Sequence, residues 1–110
     1  MKLEFSIFKG TNKEWNNSIG KFDNLTMNQI YEWGEFKQSN GWNVLRLVGL
    51  NNEKPVSFTQ VFHKKKFGIN VVIVSGGPVG QLDLWFSSIT KFFSSYFGFF
   101  TYCRIYCSYN

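Results

Sequence analysis

The sequence predicts a mixed α/β fold of the α+β kind, with a mostly antiparallel sheet that ends in a β-α-β crossover. Three observations predict it. Strand-like stretches follow one another at turn spacing between Trp42 and Val74, which favours an antiparallel meander. A Gly-rich break, Ser75-Gly76-Gly77-Pro78-Val79-Gly80, then interrupts them. Beyond it, apolar residues recur at helical spacing before one last strand-like stretch.

The elements follow in order. Leu3, Phe5 and Ile7 alternate with Glu4 and Ser6, which predicts a short opening strand. Asn12 to about Gly20 reads as a helix with Trp15 and Ile19 four apart on one face. A second helix starts at Thr26, where Gln29 three residues on completes a capping-box pattern. Its apolar face is Met27, Ile30, Tyr31, Trp33 and Phe36, and Asn40-Gly41 is its stop. Three strands come next: Trp42–Leu50, Val56–Phe62 and Phe67–Val74. The turns between them are Asn51–Lys54 and the basic run His63-Lys64-Lys65-Lys66. The last helix presents Leu82, Trp85, Phe86, Ile89, Phe92, Phe93, Tyr96 and Phe97 on one face and Ser87, Ser88, Lys91, Ser94 and Ser95 on the other. Gly98 ends it, and Thr101–Tyr106 is the final strand. That strand is expected to lie parallel to the one before the helix, by a right-handed crossover. It then leaves an unpaired sheet edge, expected to be covered by a C-terminal half that these residues lack or by a partner chain.

With 110 residues, positions 1–110 have room for one domain and one core. The chain is 44% hydrophobic and 17% charged, which excludes a disordered tail. Aromatic residues make up 20%, more than so small a core can hide, so some are expected to face a partner, a second domain or a ligand. The net charge of +5 favours anionic partners, while plain solubility accounts for it equally well. Cys103 and Cys107 share a strand face but sit ~13 Å apart along it, too far for a disulfide in a flat strand. Unpaired thiols point to a reducing compartment. His63 is the only histidine, so a zinc site is not expected. Phe92–Cys103 is too short to span a bilayer and is broken by Ser94, Ser95 and Gly98. With no targeting signal evident, the chain reads as cytoplasmic.

Four stretches carry a resemblance. They are Gln29 with Trp33-Gly34-Glu35-Phe36-Lys37, then Gly41-Trp42, then Gly76-Gly77-Pro78-Val79 after an apolar strand, then Arg104-Ile105 after the long helix. In order and spacing the chain resembles the first domain of the Fem-type (FemABX) peptidoglycan-bridge aminoacyltransferases. These belong to the GNAT-like superfamily, and the likeness covers nearly the whole chain. The resemblance implies the N-terminal half of a GNAT-like fold, incomplete at its C-terminus and inactive without the remainder. It implies transfer of an amino acid from aminoacyl-tRNA to an amine of a peptidoglycan precursor peptide. No metal or redox cofactor is implied. Similar proteins of the superfamily use other donors, acyl-CoA among them. The family often has an acidic residue and then proline after the Arg-Ile pair, where this chain has Tyr106 and Cys107. A carboxylate is therefore absent there.

The resemblance also implies site residues. Lys37 matches a lysine that binds the diphosphate of a nucleotide-linked precursor, a task suited to a compact charge. A solvated lysine on the polar face of a helix is the plain alternative. Gly76, Gly77 and Gly80 precede a helix as in the pyrophosphate-binding turn of GNAT enzymes. A tight strand-to-helix turn explains them as well, and Ser75 departs from the acyl-CoA-binding version. Arg104 completes the expected substrate-binding set. Lys64-Lys65-Lys66 reads as a solvated turn, with contact to tRNA or lipid phosphate as the alternative. Trp33 and Trp42 read as core residues rather than stacking platforms. His63 has no acidic partner near it in sequence to orient it as a base, and the two cysteines read as buried thiols. No nucleophile–base pair is visible, so the catalytic residues stay open. Two further readings stand beside the enzyme: a module binding RNA or nucleotide phosphates, and an interaction domain without chemistry.

Overall fold

A computed structural model describes residues 2–106. Cys107 therefore lies outside the described residues. The opening strand β1 (Glu4–Ile7) pairs antiparallel with β2 (Asn43–Asn51). Between them α1 (Asn12–Ile19) carries the capping box of the chain. Thr11 Oγ1 accepts from the Glu14 N–H at 3.2 Å, and the Glu14 carboxylate accepts from the Thr11 N–H at 3.0 Å. Trp15 and Ile19 are fully buried, as their spacing predicts.

The second helix starts later than predicted. Thr26 makes no cap bond, and Met27–Gln29 forms a single 3-10 turn before α2 (Tyr31–Ser39). The expected capping box fails because both side chains serve the sheet instead. Thr26 Oγ1 donates to the Gly76 carbonyl at 2.9 Å. Gln29 is wholly buried, accepts from the Gln60 N–H at 2.6 Å and donates to the Ser75 carbonyl at 2.8 Å.

Strand β3 (Lys54–Lys66) runs thirteen residues, through the predicted turn His63–Lys66. The actual turn is Phe67-Gly68, both at positive φ (53° and 78°), the geometry of a two-residue hairpin. Lys66 pairs with Ile69 across it. Ser57 to Phe62 are all buried, because β3 is central and covered on both faces. Its outer half pairs antiparallel with β4 (Ile69–Ser75) and its inner half with the short β5 (Val79–Gly80). The Gly77-Pro78 peptide between them is cis.

Helix α3 spans Trp85–Phe97 and ends at Gly98, φ 90°. Its buried side is Trp85, Ser88, Ile89 and Phe93. Ser88, placed on the polar face by its type, instead accepts from the Leu3 N–H at 2.9 Å. Phe86 and Tyr96, placed on the apolar face, are about half exposed. The last strand β6 (Thr101–Tyr106) runs parallel to β4, from Asn70↔Thr101 to Ser75↔Tyr106. The sheet order is β1-β2-β3-β4-β6, with β5 beside β3. Among the described residues β6 pairs with β4 alone.

Two cores result. On one face α3 packs over Leu45, Leu47, Val61, Val72 and Val74, with Cys103 and Ile105 at the margin. On the other, Trp15 and Ile19 of α1 pack over Phe58 and Val79. The result is a six-stranded, mostly antiparallel sheet between helices, the mixed α/β class that the sequence predicts.

Candidate functional site

Helix α2 reaches only part of its sheet face, and the site follows from that. Gly34 lets it approach: a Cβ there would lie 2.6 Å from Arg46 Nη2 and 2.8 Å from Gln60 Cδ. The Arg46 guanidinium fills the space beneath, 3.5 Å from the centre of the Tyr31 ring. It donates to Gln60 Oε1 at 2.8 Å and to the Tyr31 carbonyl at 3.1 Å. Burial lowers its pKa, but a guanidinium stays charged. The helix then stops. Gly41 (φ 93°) turns the chain, and the Trp42 N–H donates back to the Lys37 carbonyl at 3.1 Å.

Beyond the end of α2 the sheet face is open. Register partners share a face, so Phe62, Ile73 and Arg104 form one row across β3, β4 and β6. The groove above this row is about 130 Å³ and is lined by Asn28, Trp33, Lys37, Trp42, Phe62, Ile73, Ser75 and Tyr106. Lys37 Nζ lies 5.6 Å from the Trp33 ring centre and 6.0 Å from that of Phe62. Lys64 Nζ lies 4.2 Å over Trp42. The Arg104 guanidinium lies 5.6 Å from the ring of Tyr106. Three cations thus border an aromatic trough, each held against a ring by cation–π attraction. Such a surface suits an anion attached to a flat ring.

The sequence-predicted residues divide here. Lys37 lines the groove, Arg104 stands on its floor row, and Gly76 follows the lining residue Ser75. Gly80 is elsewhere. It pairs with Ser57, five residues along β3 from Phe62, which is about 17 Å. The Gly76 N–H donates to the Tyr106 carbonyl at 2.6 Å, and the Gly80 N–H to Asn24 Oδ1 at 2.8 Å. A Cβ at Gly77 would lie 2.9 Å from Gln29 Cδ. These glycines bring the loop close to the segment before α2, and α3 begins only at Trp85.

Sequence reasoning missed four members. Trp33 and Trp42 are half-buried walls rather than core residues; the fully buried tryptophans are Trp15 and Trp85. Lys64 lies in β3 rather than in a turn, and extending the alternation of Phe58, Gln60 and Phe62 by one step puts it on the groove face. Tyr106, which departs from the family's pattern, lines the groove. His63 lies on the opposite face of β3, its ring 4.9 Å from that of Phe97, where burial lowers its pKa. Burial raises the Cys103 thiol. Among the described residues, no group of three or more His, Cys, Asp or Glu could hold a metal, and no helix is long and apolar enough to cross a membrane.

No family model matches the chain, and no curated protein matches it. Among solved structures it is similar to the crystal structure of FemX, with a TM-score of 0.62 and 21% sequence identity. The match covers 82% of this chain and 23% of the FemX chain. The chain therefore spans about a quarter of that protein and has a Fem-like fold, in agreement with the resemblance carried by its sequence.

Proposed function

We propose that this chain is one part of a Fem-type acyltransferase and that its groove holds the anionic end of a nucleotide-linked peptidoglycan precursor peptide. The observation that carries the reading is the meeting of Lys37, Lys64 and Arg104 around Trp33, Trp42 and Tyr106. Lys37 and Arg104 would neutralise phosphate charge, Arg104 with its planar fork and Lys37 as a point charge. Trp33 or Trp42 would stack on the base. Gly76, Gly77 and Gly80 support the reading as frame, since the N–H groups of Gly76 and Gly80 already have partners. That occupancy argues against an acyl-CoA pyrophosphate held by those two N–H groups.

In this reading positions 1–110 form one unit of a larger enzyme. The 23% coverage of the FemX chain supports this reading. The unit contributes binding. Anchoring the precursor by its phosphates holds the acceptor amine against the activated ester, and positioning of that kind supplies much of an acyl-transfer rate. Work takes place in the cytoplasm, where nucleotide-linked precursors and tRNA meet.

Titration calorimetry with a nucleotide-linked muropeptide tests the binding claim. Lys37→Ala is expected to weaken binding roughly tenfold or more, the scale of a lost charged hydrogen bond, with the melting temperature unchanged. Equal affinity in both proteins refutes it. A second reading, a module for RNA or nucleotide phosphates, draws on Lys64 over Trp42. It predicts that single-stranded RNA competes with the muropeptide and that affinity falls steeply with salt.

A further inference from the structure

From a different part of the molecule we infer a second surface, a docking site for an anionic lipid bilayer at one end of the sheet. Two turns meet there. Phe67 and Gly68 join β3 to β4, and Phe99 and Phe100 lead into β6. The Asn70 N–H donates to the Phe100 carbonyl at 2.9 Å, so the two turns are neighbours across adjacent strands. Phe67 is 93% exposed, Phe99 92% and Phe100 66%. Ile69 and Tyr102 beside them are about half exposed. Loop tips with so much free aromatic surface are unusual on a protein of this size.

Charge identifies the occupant. Lys65 and Lys66 lead directly into the Phe67 turn, and both are exposed. From Lys54 to Tyr106 the sole carboxylate is Asp83, which precedes α3 at the opposite end of the sheet. Glu4 and Glu53 also lie at that far end, beside the β2–β3 turn. Lys65 and Lys66 thus stand with the aromatic tips, while Asp83, Glu4 and Glu53 lie at the other end of the sheet. Protruding rings flanked by lysine suit a bilayer interface, where rings enter the headgroup layer and ammonium groups meet anionic lipid. A nucleic acid would instead favour a groove that tracks its backbone, whereas these rings stand on turn tips.

Co-sedimentation of the chain with phosphatidylcholine vesicles, with and without phosphatidylglycerol, tests the inference. Binding is expected only with phosphatidylglycerol, and it should weaken with salt. The pair Phe67→Asn and Phe99→Ser should lower it at least about tenfold. Asn tolerates the positive φ at position 67, so the fold is kept. Lys65→Gln with Lys66→Gln should lower binding independently and flatten its salt dependence. Three results overturn the inference. One is no binding to phosphatidylglycerol vesicles. Another is binding that the phenylalanine pair leaves unchanged. The third is a dimer on gel filtration that the phenylalanine pair dissolves, which would make the patch a self-interface. RNA binding without vesicle binding counts with the first.

Discussion

Gln29 shows how one side chain replaces a piece of secondary structure. On the side away from β2, strand β3 has no strand partner at Thr59 and Gln60, between its pairing with β4 and its pairing with β5. The buried Gln29 amide fills that gap, bonding the Gln60 N–H and the Ser75 carbonyl. A glutamine three residues after a threonine also fits a capping box, and local sequence does not distinguish the two uses. The pairing partner, Gln60, is 31 residues away. Lys37 stands within a motif in the sequence, and the structure places it in the lining of the groove. Trp33 and Trp42 were misassigned because hydrophobicity argues for burial without saying whether a neighbouring helix continues far enough to provide it. His63 yields a prediction at this scale. Burial alone holds its pKa below the ordinary value, so the unfolded chain takes up the proton first. The associated stability is present above about pH 6.5 and is lost as pH falls below it. Glu14 and Glu32, whose hydrogen bonds lower their pKa values, titrate further down. Melting temperatures followed downward from neutral pH should fall for the wild type, and His63→Gln should flatten the upper part of that fall. Parallel curves would show that His63 is not the group responsible.

The strands and α1 were legible wherever one face meets water. Trp15 and Ile19 marked the buried side of α1, and the turn at Asn52-Glu53 was found from its polar run. Two boundaries were not legible. Strand β3 is buried on both faces over six residues, which erases alternation, and its lysine-rich end was read as a turn because three consecutive charges seldom continue a strand. In α3 the rings of Phe86 and Tyr96 spread outward while Ser88 turns in to cap Leu3, so residue type misplaced part of its face. The docking of α2 makes the most exact demand on a single position. Gly34→Ala must displace either Gln60 or Arg46. It is expected to cost about 1–3 kcal/mol, the usual penalty of overpacking, although alanine favours helix by about 1 kcal/mol. Urea denaturation checks this. A neutral or stabilising effect would mean that α2 sits further from the sheet than described.

For the whole molecule, an α-helix laid over half of one sheet face creates the groove, and the other half is left to cations and rings. The parallel β4–β6 pair places Arg104 on that half, opposite Ile73. Sequence order alone was enough to predict this parallel crossover, since parallel neighbours are usually joined through a helix. The convergence of α2, β3 and β6 on one trough was not predictable from order, because it depends on where α2 stops over the sheet. The four tryptophans offer an internal control, two in the groove and two in the cores. Their indole N–H signals can be followed by NMR while a nucleotide-linked muropeptide is added. The indoles of Trp33 and Trp42 should shift with saturation while those of Trp15, bonded to the Gln29 carbonyl, and Trp85, bonded to Thr59, stay in place. Shifts confined to Trp15 or Trp85, or no shift at all, would contradict a ligand-binding groove at the end of α2.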